Sequence, residues 1–202
     1  MEISTVEGRS FLSPHSQDEA NGFLHLPDAH RRPRWEFPAI LAVFGLETII
    51  DQGTPCAIVN TGSKQGITCP PGDTAYNITK AGVKVLTEGL AHALRNIAGC
   101  QVTAHLLVPG STFTGMTARG RTEKPPGSWT PEQVVDFMVA AMAAGGFYII
   151  CPDNDVTRDI DNRRILWAAE DIIRNRPALS RWHPDYTEEF AEFLTLDAPF
   201  RR

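Results

Sequence analysis

Residues 56–110 read CAIVNTGSKQGITCPPGDTAYNITKAGVKVLTEGLAHALRNIAGCQVTAHLLVPG. The stretch divides into three parts. Ala57-Ile58-Val59-Asn60 is short, apolar and β-branched, as expected of a strand buried on both faces. The segment from Thr61 to Asp73 carries Gly62, Gly66, Pro70, Pro71 and Gly72 and cannot be regular throughout. A helix follows, because Val83, Leu86, Leu90, Ala93, Leu94 and Ile97 recur at helical spacing and Gly99 stands just past the end. Val102 to Val108 is a second buried-type strand, closed by Pro109-Gly110. Strand, helix, strand at this spacing requires a crossover between parallel strands, so the fold class is α/β.

The pattern continues on both sides. Residues 1–33 are polar and irregular and read as a leader without strand alternation or a helical stripe. From Arg34 to about Ile50, Phe37, Leu41, Phe44 and Leu46 give a helix an apolar side, with Gly53 placed to stop it. After the second strand, Trp129-Thr130-Pro131-Glu132 places a threonine at an N-cap and a proline at the first helical position, and the helix reaches Ala144. Gly145-Gly146 ends it, and Phe147 to Cys151 forms a third strand. Beyond lie a helix around Ile165–Ile173, a break at Pro177, and a short amphipathic helix bearing Tyr186, Phe190, Phe193 and Leu194. The expected organisation is a leader, 1–33, and one domain, 34–202.

Composition excludes several classes of partner. The 202 residues are 42% hydrophobic, enough for a sizeable core, and carry a formal charge of −5. Nucleic acid and anionic membranes reward clustered Lys and Arg, so neither is expected as a partner. The longest apolar run, Ala39 to Phe44, is far too short to span a bilayer. Cys56, Cys69, Cys100 and Cys151 form no C-x-x-C pair, so no metal site is expected and the thiols read as reduced, in a cytoplasmic protein.

The residues that carry chemistry lie in the opening stretch. In Tyr76-Asn77-Ile78-Thr79-Lys80 a four-residue step stacks phenol and ammonium on one helix face. A nearby ammonium stabilises a phenolate and equips a phenol for acid or base work. That spacing alone is commonplace, and most such pairs merely face solvent. Ser63, thirteen residues earlier, changes the reading, because it follows the first strand, and the ligand crevice of an open α/β sheet lies at the carboxyl ends of the strands. Pro109-Gly110-Ser111-Thr112-Phe113-Thr114 puts a second loop of amides and hydroxyls at the same edge.

Over residues 35–152 the sequence resembles the short-chain dehydrogenase/reductase family. Members carry a serine at a strand end, a Tyr-x-x-x-Lys on the next helix, and a P-G-x-x-x-T segment after the next strand, here Ser63, Tyr76 with Lys80, and Pro109 to Thr114. The resemblance implies a partial Rossmann-like parallel sheet with flanking helices, and hydride transfer between NAD(P)(H), NADP favoured over NAD, and a ketone or secondary alcohol. It implies that Ser63 polarises the carbonyl, that Tyr76 exchanges the proton, that Lys80 assists the phenol and holds the nicotinamide ribose, and that Thr112 and Thr114 contact the carboxamide. Tyr76 thus counts among both catalytic and cofactor-binding residues. The resemblance further implies a homo-oligomer paired through the helices at 34–50 and after Tyr76.

The departures raise a second expectation. The family's G-x-x-x-G-x-G should precede residue 34, where only the leader stands, and residues 34–50 hold no counterpart of the family's catalytic asparagine. Thr61-Gly62-Ser63-Lys64-Gln65-Gly66-Ile67 resembles the family's cofactor loop, but Thr68-Cys69-Pro70-Pro71-Gly72 prevents the long helix such a loop must enter. Gly62 and Gly66 are therefore read as turn glycines. The chain is expected to be N-terminally truncated relative to the family, and the alternative to an active enzyme is a catalytically silent remnant serving as an interaction protein, or a mispredicted gene product. Elsewhere, His105 reads as a satisfied core histidine, His92 as solvated, and Asp153-Asn154-Asp155 as a polar loop rather than a calcium loop, since Arg158 stands where the turn glycine belongs.

Overall fold

The structure is a computed structural model that describes residues 46–195. The leader and the first part of the helix expected at 34–50 lie outside the described residues. The chain divides into two compact units between Gln52 and Gly53. In the first, α1 spans Leu46–Asp51. Among the described residues the second holds three strands, β1 (Cys56–Thr61), β2 (Val102–Val108) and β3 (Tyr148–Ile150), and six α-helices: α2 (Gln65–Thr68), α3 (Thr74–Arg95), α4 (Gly115–Ala118), α5 (Pro131–Ala143), α6 (Arg158–Ile173) and α7 (Thr187–Phe193).

The strands form one parallel sheet in the order β1-β2-β3, with Cys56 opposite Val102, Thr61 opposite Leu107, and Val108 opposite Ile150. Side chains of a strand alternate between faces. On one face Leu106, Val108 and Ile150 pack with Val83 of α3, Ile165 of α6 and Ile67. On the other, Leu107, Ile149 and Cys151 pack with Val134, Phe137 and Met138 of α5. The sheet is thus covered on both sides, as parallel sheets must be. Because β1, β2 and β3 advance in one direction while α3 and α5 lie on opposite faces, the two crossovers have opposite hands, an uncommon arrangement. Residues 109–130, connecting β2 to α5, carry the chain around the strand ends.

β2 is buried along its length except at Thr103, whereas β1 is only partly covered, contrary to the reading of 57–60 as buried on both faces. The reason is position: among the described residues β1 pairs with β2 alone. His105 is a satisfied core histidine, its ring nitrogens 2.8 Å from the Gly146 carbonyl and 2.9 Å from the Thr103 hydroxyl.

α6 begins at Arg158, seven residues before the apolar pattern does. Its first two turns are polar, and Thr157 caps them by accepting from the Ile160 N–H. After α6 the chain folds back through 3₁₀ turns at Ser180–Trp182 and Pro184–Tyr186 and is clasped by one arginine. The Arg176 guanidinium lies 3.9 Å from the Trp167 ring, donates to the Trp167 carbonyl at 2.8 Å and pairs with Asp171 at 3.0 Å. Trp167 is buried, donates to Ser180 Oγ at 2.8 Å, and stacks edge-on against Phe190 and Phe193.

Candidate active site

The first strand delivers Ser63 through a glycine that continues the ladder, Gly62 N donating to Leu107 O at 2.7 Å. Ser63 opens a tight turn. Its carbonyl accepts from Gly66 N at 3.0 Å and its Oγ from Gln65 N at 3.2 Å. The hydroxyl therefore accepts a bond that fixes it, while its proton is committed to no described residue. That leaves one donor for a ligand.

The turn is pressed onto α3. A Cβ at Gly66 would lie 2.4 Å from the Lys80 carbonyl carbon, and Gly66 does not have a positive φ. Gly66 thus serves close approach and not, as its setting among turn residues implied, backbone freedom. The α3 N-terminus is fixed by Asp73, whose Oδ1 accepts from Tyr76 N at 3.1 Å. Asn77, buried one residue on, donates to the Pro70 carbonyl at 2.7 Å. Cys69, with φ 45°, lets the chain turn between α2 and α3.

Three of the sequence-derived residues converge here in part. Lys80 Nζ donates to the Thr61 carbonyl at 3.0 Å and stands 5.7 Å from the centre of the Tyr76 ring. One ammonium therefore bridges the strand end that presents Ser63 and the ring of Tyr76. The Tyr76 side chain is 39% exposed and its hydroxyl bonds to no described residue. No hydrogen bond joins Tyr76 to Ser63.

Thr112 and Thr114 lie in the loop after β2, which leaves the same edge of the sheet, but both hydroxyls are used locally. Thr112 Oγ1 donates to Gly110 O at 3.2 Å, and Thr114 forms a capping box with Thr117 at the start of α4. Sequence reasoning overlooked the residue that organises this loop. Asp153 accepts from Ser111 N at 2.9 Å through one oxygen and from Val156 N at 2.7 Å through the other. The signal was the Asp-Asn-Asp run, dismissed with the calcium loop although such carboxylates readily cap backbone amides. Asp153 also lies 3.8 Å from Lys64, whose ammonium pairs with the buried Asp161 at 2.6 Å. Burial pushes the Asp161 carboxyl upward, and Lys64 offsets this only in part.

The described residues fit one end of a nicotinamide dinucleotide. Lys80, at the strand edge and with donors to spare, suits ribose hydroxyls. The Thr112 and Thr114 hydroxyls fit less well, each being engaged. No described long helix opens with a glycine-rich loop; α3, α5 and α6 begin at the side-chain caps Asp73, Thr130 and Thr157. Among the described residues no cluster of three His, Cys, Asp or Glu is arranged to hold a metal, and no helix is long and apolar enough to cross a membrane.

Comparison with known proteins agrees with this architecture. Residues 40–125 match the family model for short chain dehydrogenase. A crystal structure of a short chain dehydrogenase/reductase from Burkholderia phymatum in complex with NAD superposes with a TM-score of 0.53 at 29% sequence identity, covering 63% of this chain. The chain spans about half, 52%, of that protein. No curated protein matches. The matched segment includes Ser63, Tyr76, Lys80 and the loop after β2, and over it, on a parallel sheet, the chain is similar to the short-chain dehydrogenase/reductase family.

Proposed function

We propose that this chain forms the proton-transfer part of an NAD(P)-dependent oxidoreductase acting on a ketone or secondary alcohol. The observation that carries the reading is the Lys80 ammonium, held between the Thr61 carbonyl and the Tyr76 ring, two residues in sequence from Ser63. The uncommitted Ser63 proton is available to a carbonyl oxygen, and the exposed Tyr76 phenol gives or takes the proton as that oxygen becomes or ceases to be an alcohol. Lys80 ties the strand end to the Tyr76 ring and offers its remaining donors to the ribose. A bound dinucleotide, NAD as in the solved relative or NADP, supplies or receives the hydride. Thr112 and Thr114 line the carboxamide end only by giving up a present bond. The thiols of Cys69, Cys100 and Cys151 suit a reducing, cytoplasmic setting. Pairing of two copies through α3 is consistent with exposed Val85 on that helix. The domain assignment, a leader at 1–33 followed by a catalytic half-domain, belongs to the same proposal.

A silent interaction protein is the second reading, favoured by the local use of the Thr112 and Thr114 hydroxyls. One experiment separates them. The full chain is titrated with NADH and NADPH by nicotinamide fluorescence and assayed with ketone substrates. Saturable binding with turnover supports the oxidoreductase, in which Tyr76→Phe should lower kcat by roughly 100-fold or more while leaving dinucleotide affinity nearly unchanged. Absence of binding and turnover by the full chain supports the silent protein.

A further inference from the structure

Away from Tyr76, a cleft of about 310 Å³ opens between α2, the end of β3, α6 and the 3₁₀ turn Ser180–Trp182. Ile67, Ile150 and Ile165 give it an apolar floor, and Trp182 forms part of its wall. Its charges are unbalanced. Lys64 is neutralised by Asp161 at 2.6 Å, yet Arg164 and Arg181 also line the cleft. Neither guanidinium makes a hydrogen bond or an ion pair within 4 Å to any described residue, and Arg164 Nε is shielded from solvent with no partner. Arg181 is held by ring faces only, 4.6 Å from Trp182 and 5.2 Å from Phe190. Stacking fixes the guanidinium plane and leaves its N–H edge free. Burial, reinforced by the charge of Arg164 and opposed by that of Asp161, drives Arg181 down to about 10.

Two partly buried cations that repel each other favour an anion between them. We propose that this cleft binds a small organic anion, its carboxylate shared by Arg164 and Arg181 and its apolar body resting on Ile67, Ile150, Ile165 and Trp182. The planar fork of arginine matches a carboxylate. The volume equals that of about ten waters at roughly 30 Å³ each, too large for one inorganic ion and suited to a ring or short chain. Lys64 and Gln65, which also line the cleft, follow Ser63 in the same turn, so an occupant abuts the loop that carries the candidate catalytic serine. The site itself does not rest on the oxidoreductase reading.

Benzoate is the probe, titrated calorimetrically into the full chain with benzyl alcohol and inorganic phosphate as comparisons. Saturable binding of one benzoate per chain is expected in about the millimolar range, with benzyl alcohol and phosphate each at least about tenfold weaker. Arg164→Gln and Arg181→Gln should each weaken benzoate by about tenfold or more, the factor that losing a hydrogen bond to a charged group produces. Should Arg181→Gln fail to fold, Arg181→Lys keeps the charge, loses the planar fork, and should still weaken binding several-fold. No saturation by about 50 mM benzoate, equal binding of benzyl alcohol or phosphate, or affinity unaltered in the folded variants overturns the proposal.

Discussion

An ideal Cβ on Gly66 falls 2.4 Å from the Lys80 carbonyl carbon and 2.8 Å from the Ala81 nitrogen, both backbone atoms that can move only with α3. Gly66→Ala must therefore lift the serine turn off the helix. A destabilisation of about 1–3 kcal/mol is expected, read as a lower urea midpoint, as for other overpacked contacts. At Gly72, where φ is +111° and nothing lies near, strain in the backbone is the only penalty. From the sequence the two glycines look alike, because composition marks a turn without saying which glycine touches a neighbour. The placement of Lys80 beside the Tyr76 ring was legible for a different reason. Helix geometry converts a four-residue interval directly into a shared face. The local use of Thr114 was not legible, since it depends on where α4 begins, and four residues leave no periodic signal.

The elements with strong end signals fell where their residues placed them. β2 spans Val102–Val108, and α5 follows the Thr130 cap and Pro131. The start of α6 did not, because Arg158, Asp159, Asp161 and Asn162 hide two helical turns from any search for apolar spacing. Between elements, α3 meets the start of β3 through a polar pair. Tyr148 donates to Glu88, which also pairs with Lys84 at 2.8 Å. The bond to the Glu88 carboxylate, then burial, pushes the Tyr148 phenol up to about 12. The folded state thus holds this proton more tightly than the unfolded chain, whose phenols titrate near 10. The pair contributes fully below about pH 10, and its contribution is lost as pH rises from there to about 12. Tyr148→Phe should delete the phenolate step near pH 12 in the 295 nm absorbance and flatten the decline of stability across that window.

On the scale of the whole molecule, the parallel sheet was legible from alternating strands and helices, whereas the opposite hands of its crossovers were not. Face is a property of packing, and the apolar residues of α3 and α5 look equally ready for either side of β2. The fold-back after Pro177 was equally hidden, because Arg176 reads as an ordinary surface charge until Trp167, Asp171 and Ser180 are found around it. This clasp governs where a protease can enter. Arg119 and Arg121 stand exposed in the connection between β2 and α5, while Arg163 is buried in α6 and its donors reach Asp159 and the Phe193 carbonyl. Among the described residues, trypsin should therefore cut first after Arg119 or Arg121, and mass spectrometry should find the fragment beyond that cut intact through Arg163 and Arg164. In Trp167→Ala the ring that Arg176, Phe190 and Phe193 share is gone, and cleavage after Arg163 and Arg164 should appear on the same timescale as the first cut. The single arginine that folds the C-terminal segment back is, to a protease, the latch that keeps α6 closed.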